Sequence, residues 1–409
     1  MRRVLSNITW LTTERFLSIA LLLFLEGYLA KNLSVDEYGS YQYYLNISLI
    51  VAVFLNAVPA EVVIPKISKN ISLSWSIIFV VFASRVAVLI TFILISLALY
   101  YSGVKTLQTI ILFSTALLLT EAVSVVVNYY QAIVQVKYVS IIRLFVLFVR
   151  VVVIMSLSID SLNIEFIAWV RVFESLLLGL FLFYLIKKFS NIDQRLKFRN
   201  VIFKIIITNG LKIWPSIIIY YMLIRFDRVA VGYFFDMESV AYYSVSQQIL
   251  DQVSVLLVIV ASSIFPFFIY SQKNYLIKRN GFFKSSAILL VISFLFMFLS
   301  FLLSTFFITY VYGERYLIST SILNVMIWVL PLSIIDYSFS QYFISINRPS
   351  LVFIKNLIGI FSGLVIYLNF GSMLSIQQFP IILIGVNLIL LITSAIILVV
   401  EHENYKINN

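Results

Sequence analysis

The chain has no cysteine among its 409 residues and only one histidine, His402, near its end. No disulfide can form, and the redox compartment stays open. A lone tail histidine excludes histidine-based metal sites and histidine-based acyl transfer within the body of the chain. Charge is also scarce. Only 11% of residues are charged, against roughly 25% in a soluble domain. Such a chain cannot coat a water-facing surface of its own size, which excludes an ordinary soluble enzyme. With 62% hydrophobic residues, a disordered chain is excluded as well. What remains is an all-α polytopic membrane protein. About 20 apolar residues cross a bilayer core, so a chain of this length holds roughly twelve spans.

Twelve apolar stretches are present: 9–30, 41–62, 74–101, 106–130, 139–159, 163–186, 206–234, 240–269, 284–311, 318–345, 350–370 and 378–400. No loop is long enough for a soluble domain. Met1-Arg2-Arg3 ahead of the first stretch has the look of a signal peptide, but no small-residue cleavage site follows Leu25. An uncleaved first helix is expected. The longest polar connection, 187–204, is strongly basic and falls near the middle. The expected organisation is therefore an N-lobe at 1–187, a basic linker at 188–203 and a C-lobe at 204–409, with six helices per lobe.

The net charge is +11, and its distribution follows topology. Of the 29 Lys and Arg, seven lie in spans and three (Lys31, Lys105, Arg315) in odd-numbered loops. The other nineteen, Lys355 among them, count with the termini and even-numbered loops. That bias places both termini in the cytoplasm. Seven acids (Asp36, Glu37, Asp160, Glu165, Asp236, Glu238, Glu314) fall on the outer side. The basic excess is thus mostly orientation, and nucleic acid is not needed to explain it.

A faint internal repeat links the halves. DEYGSYQYYLNI at 36–47 and ESVAYYSVSQQI at 238–249 align at an offset of 202. Asp36/Glu238, Gly39/Ala241 and Tyr41/Tyr243 correspond. Gln131/Gln341 and Ser140/Ser350 align at an offset of 210. Six spans per half make this a parallel repeat.

The chemistry lies in the charges inside spans. The cations are Arg15, Arg85, Arg150, Arg171, Lys212, Arg225 and Arg228. The acids are Glu14, Glu26, Glu121, Glu174, Asp227, Asp251 and Asp336. Each costs roughly 2.5–3.5 kcal/mol at a lipid-exposed helix centre, so most must face an interior, a watery cavity or the headgroups. Glu14, Arg15 and Lys212 lie where side chains can snorkel. Arg171 and Glu174, spaced i,i+3, can pair with each other or act in function. Arg85, Arg150, Arg171, Arg225 and Arg228 are candidates for a cationic lumen. Arginine holds its proton, so it suits gripping phosphate better than relaying protons. Structural ion pairing is the competing account. Glu26, Glu121, Asp227, Asp251 and Asp336 are candidates for binding H⁺ or Na⁺ and coupling transport to an ion gradient. Asp227, between two arginines in sequence, could instead be their counter-ion.

Pro215, Pro266 and Pro331 predict kinks. Gly359 and Gly363 form a GxxxG pair suited to close helix packing. Tyr41, Tyr43, Tyr44, Tyr242 and Tyr243 cluster at predicted outer ends, where an interfacial aromatic belt is expected.

Three segments carry a family resemblance: LAKNLSVDEYGSYQYYLNIS after the first span, IRFDRVAVGYFFDMESVAYYSVSQQI at 224–249, and YGERY at 312–316. They resemble the Wzx-type O-antigen and polysaccharide flippases of the multidrug/oligosaccharidyl-lipid/polysaccharide (MOP) exporter superfamily. The resemblance implies twelve helices in two six-helix lobes that alternate around a cationic lumen. It also implies translocation of a polyprenyl-diphosphate-linked oligosaccharide, such as an O-antigen unit of lipopolysaccharide, across the bacterial inner membrane. Membrane lipids, a glycan polymerase and a chain-length regulator are the implied partners. No cofactor and no metal are implied beyond H⁺ or Na⁺ coupling. Arg225, Asp227 and Arg228 match the family's helix-seven cluster, and Gly39 and Tyr41 its first outer turn. Two other readings compete. A glycan polymerase or membrane glycosyltransferase usually needs a sizeable outer loop, which this chain lacks. A multidrug antiporter for cations would want acids to dominate, whereas here seven cations meet seven acids.

Overall fold

The computed structural model describes residues 2–56, 58–100, 105–157, 162–189, 200–272 and 274–408. Among them the chain is helical throughout and has no strand. Asp160, Lys273 and residues 190–199 of the expected linker, including Asp193, Arg195, Lys197 and Arg199, lie outside the described residues.

The first half contains α1 (Arg2–Asn32), α2 (Val35–Leu55), α3 (Ala60–Lys69), α4 (Ser74–Tyr100), α5 (Lys105–Ala132), α6 (Lys137–Met155) and α7 (Ile164–Phe189). The second contains α8 (Asn200–Phe234), α9 (Met237–Phe265), α10 (Tyr275–Val311), α11 (Ile318–Met326), α12 (Val329–Ser345), α13 (Pro349–Phe370) and α14 (Pro380–Asn408). Among the described residues, ten helical segments are each long and apolar enough to cross a membrane, or eleven when α2 and α3 count as one bent span. α1 covers the first predicted span.

Local chemistry sets the ends. Ser34 and Glu37 form a reciprocal capping box at the start of α2, with Ser34 Oγ accepting from Glu37 N at 3.2 Å and Ser34 N donating to Glu37 Oε2 at 3.0 Å. Asp236, 202 positions on, caps α9 by accepting from Ser239 N at 2.9 Å. These hydrogen bonds hold the Asp236 carboxyl below the usual carboxylate range. Gly39, expected in an outer turn, lies one turn inside α2.

Two predicted spans break. Span 41–62 stops at Leu55 and resumes at Ala60, because Pro59 has no N–H to continue the ladder. Span 318–345 divides into α11 and α12 just ahead of Pro331, for the same reason. Pro266 begins a π-turn, Pro266–Tyr270, at the end of α9. Pro215 sits within α8, which runs unbroken.

The chain forms two compact units. Apart from Tyr38–Ser40, they divide at Ile218/Ile219, inside α8. The reason is packing: Ile202, Ile206 and Ile207 of α8 join the core of the first unit, and Trp214 donates to Val53 O at 3.3 Å. That core is built on Val63, Ile67, Val81, Val126 and Leu182. Tyr38–Ser40 group with the second unit, where a Cβ on Gly39 would fall 1.8 Å from Met237 O. The second unit buries Phe265, Phe282, Leu289, Leu330, Tyr342 and Phe343. Gly359 and Gly363 pack as expected: a Cβ on Gly359 would fall 2.6 Å from Leu390 of α14. The outer face of α10 is apolar and exposed at Val291, Leu295, Phe298, Leu302 and Phe306, as a lipid-facing helix requires.

Candidate functional site

Each unit carries one cluster in which two guanidiniums share one carboxylate. In the first unit the carboxylate is Glu174 on α7. Arg150 Nη1, from α6, donates to Glu174 Oε2 at 2.9 Å, and Arg171 Nη1 lies 3.6 Å from the same oxygen. The Arg150 side chain is 2% exposed and that of Arg171 is 23% exposed. In the second unit the carboxylate is Asp251 on α9. Arg228 Nη2 lies 2.5 Å from Asp251 Oδ2, and Arg225 Nη1 lies 3.8 Å from it. The Arg228 side chain is 5% exposed and that of Arg225 is 24% exposed. In both clusters a buried arginine holds the carboxylate closely and an accessible arginine stands further off.

A tyrosine links each cluster to a second acid. Tyr41 donates to Glu26 Oε1 at 3.1 Å, and Gln42 Nε2 donates to Glu26 Oε2 at 2.7 Å. Arg171 lies against the Tyr41 hydroxyl. Tyr243 donates to Asp227 Oδ2 at 2.9 Å. Tyr41 and Tyr243 are the pair matched by the sequence repeat, and each bonds a carboxylate on the helix before its own. They are buried rather than interfacial, so the aromatic-belt account does not apply to them. A hydroxyl so deep in an apolar interior must find a polar partner.

Asp227 is not the counter-ion of its sequence neighbours. Successive helical residues diverge by about 100°, which turns Asp227 away from the side that Arg225 and Arg228 share. Asp251 pairs with both arginines instead. Arg150, similarly, takes its partner 24 positions along the chain. Its Nε and Nη2 are buried and have no hydrogen-bond acceptor among the described residues. Buried donors without partners are rare in native proteins, so the first cluster carries spare donor capacity. A cavity of about 130 Å³ adjoins it, lined by Phe113, Ala116, Thr120, Arg171, Glu174 and Ser175.

The remaining candidates stand apart. Arg85 is fastened by backbone: Nη2 donates to Val58 O at 2.7 Å, and Nη1 donates to Glu121 O at 2.5 Å and Ser124 Oγ at 2.8 Å. It clamps α4 to α5 and to the connection between α2 and α3. Glu121 accepts from Asn56 at 3.0 Å and lies 3.9 Å from Arg85. Glu14, expected to snorkel, pairs with Arg143 at 3.6 Å. Asp336 on α12 has a partner that sequence reasoning placed in a cytoplasmic loop. Lys355 is fully buried on α13, with Nζ 2.5 Å from Asp336 Oδ1. Its position six residues into an apolar stretch was the available signal.

The chain is similar to known proteins in sequence profile and in fold. A family profile described as "Polysaccharide biosynthesis protein" matches residues 28–321. No curated protein matches by sequence. Among solved structures, the lipid II flippase MurJ in an inward closed conformation aligns at TM-score 0.70 and 14% identity, covering 95% of this chain and 87% of its own. An inward-facing multidrug resistance MATE transporter of the MOP superfamily aligns at 0.68 and 15%, covering 92% of each. A MOP superfamily transporter from Pyrococcus furiosus Vc1, described as having a binding pocket of reverse polarity, aligns at 0.64 and 14%, covering 95% and 93%. These likenesses show that the chain shares the fold of these transporters.

Proposed function

We propose that this chain, which belongs to the polysaccharide biosynthesis protein family, is a flippase for a polyprenyl-diphosphate-linked oligosaccharide. It would move an O-antigen or related repeat unit across the bacterial inner membrane by alternating access, with both termini cytoplasmic. The observation that carries this reading is the doubled guanidinium cluster, present once in each unit. In the first cluster Arg150 keeps two buried donors without an acceptor among the described residues. An arriving diphosphate offers oxygens in the forked geometry that arginine matches. Arg171 and Arg225 are the accessible members and would meet the phosphate. Arg150 and Arg228 would hold Glu174 and Asp251 in place behind them. The isoprenoid tail would stay in lipid, since hydrocarbon gains nothing by leaving it. Arg85, committed to backbone carbonyls, serves the scaffold.

Family membership and the lipid II substrate in the printed name of one structural relative support a lipid-linked glycan. A glycan polymerase and a chain-length regulator are the proposed protein partners. For coupling, Asp227 is the favoured carboxylate. It is 1% exposed, its Oδ1 has no hydrogen-bond partner, and no cation lies within salt-bridge distance among the described residues. Either H⁺ or Na⁺ would balance the charge of a carboxylate so placed.

Complementing a deletion strain with Arg171→Ala or Arg225→Ala tests the reading. Export of surface glycan should fall about tenfold or more, equivalent to about 1.4 kcal/mol, with membrane protein level unchanged. Lysine in place of either arginine should restore part of it, since the charge returns without the fork. Wild-type export in both alanine variants would refute the cationic site. Normal glycan export combined with hypersensitivity to cationic drugs in the deletion strain would point instead to a multidrug antiporter.

A further inference from the structure

We propose that Asp336 and Ser394 form a monovalent-cation site that the chain fills with its own lysine, in place of a free sodium ion. Lys355 Nζ lies 2.5 Å from both carboxylate oxygens of Asp336 and 3.5 Å from the Asp336 backbone carbonyl. Ser394 Oγ lies 3.2 Å from Asp336 Oδ1. The ammonium of α13 is thus held by an acid of α12 that a hydroxyl of α14 also bonds, and the lysine is fully buried.

The chemistry differs from that of the other intramembrane pairs. There, planar guanidiniums approach a carboxylate through separate nitrogens. Here a compact point charge sits astride both oxygens of one carboxylate, as a hard monovalent cation does. The oxygens that hold it are two of the Asp336 carboxylate and one of its backbone carbonyl, and the Ser394 hydroxyl orients the acid. Lys212, the lysine counted among the span cations, is exposed on α8 and has no acid partner among the described residues. No cluster of three or more acid or histidine ligands exists among the described residues, so one carboxylate has one charge to balance. The tethered ammonium balances it. A free sodium ion would find the position filled and already neutral. Removing the lysine side chain leaves a carboxylate that is only 16% exposed without its counter-charge, and sodium is the natural replacement.

The inference does not rest on the identity of the transported substrate, and its test needs none. Purified protein in detergent is heated in sodium chloride and in choline chloride at equal ionic strength. The wild type should unfold at the same temperature in both. Lys355→Ala should unfold at a lower temperature in choline and be raised by sodium in a saturable manner, since a ligand stabilises only the state that binds it. Lys355→Met combined with Asp336→Asn should regain stability and lose the sodium response. Radiolabelled sodium should bind Lys355→Ala and neither the wild type nor the double variant. If Lys355→Ala cannot be purified in choline, its recovery as folded protein from membranes prepared in sodium supports the proposal, and its loss in both salts overturns it. Asp336-dependent sodium binding by the wild type, or a Lys355→Ala variant indifferent to sodium, also overturns it.

Discussion

At the residue scale, most of the charged side chains buried in this protein take partners on other helices. Only Arg171 and Glu174 were legible as a pair, because i,i+3 neighbours share a helix face. Arg150 with Glu174, Arg228 with Asp251, and Lys355 with Asp336 are separated by 24, 23 and 19 positions. No local periodicity links such residues. The cost of burying a charge said that partners must exist, and only packing chose them. Unequal burial then predicts unequal consequences. Glu174→Ala strips the 2%-exposed Arg150 side chain of its carboxylate, and breaking a buried pair from one side costs about 3–5 kcal/mol. Glu121 is 42% exposed and 3.9 Å from Arg85, so Glu121→Ala should cost no more than about 1 kcal/mol. Thermal unfolding of both variants in detergent checks this, and equal shifts would contradict the burial argument.

At the scale of elements, hydropathy located the spans and proline modified them in three ways. Pro59 and Pro331 stand at breaks, Pro266 opens a π-turn, and Pro215 is accommodated within α8. Proline says that one backbone bond is lost, and neighbouring helices decide whether the chain bends, unwinds or absorbs the loss. The π-turn has a tight neighbour. A Cβ on Gly281 of α10 would fall 1.9 Å from Phe268 O, whereas one on Gly385 of α14 would meet nothing within 4 Å. Gly281→Ala should therefore sharply lower the yield of monodisperse protein on size-exclusion chromatography, because backbone rather than a flexible side chain must move. Gly385→Ala should match the wild type or gain about 0.5–1 kcal/mol of helix stability. A normal yield for Gly281→Ala would show that α10 and the π-turn separate easily.

At the scale of the whole molecule, orientation rests on the cation bias between alternate loops. With no native cysteine, single substitutions report sidedness directly. Ser34→Cys and Glu314→Cys should react with a membrane-impermeant maleimide in intact cells. Lys188→Cys and Asn274→Cys should react only after permeabilisation. The opposite pattern would invert the proposed topology. The internal repeat also acquires physical content at this scale. Ser34 and Asp236 cap equivalent helices, and Tyr41 and Tyr243 each bond a carboxylate on the preceding helix. The sequence match at an offset of 202 reflects a hydrogen-bonding plan used in both halves.

Composition alone determined that this chain lives in a membrane, since 11% charged residues cannot coat a soluble surface. Apolar run lengths determined the helices, and the alternation of basic loops determined the expected orientation. The tertiary structure decided which charges neutralise which, that Arg85 is a clamp, that Lys355 is interior, and that the compact units divide within α8. The division has one cause. Burial energies and helix periods act over a few residues and can be read along the chain. Ion pairs and helix contacts act across space, where sequence distance carries no information.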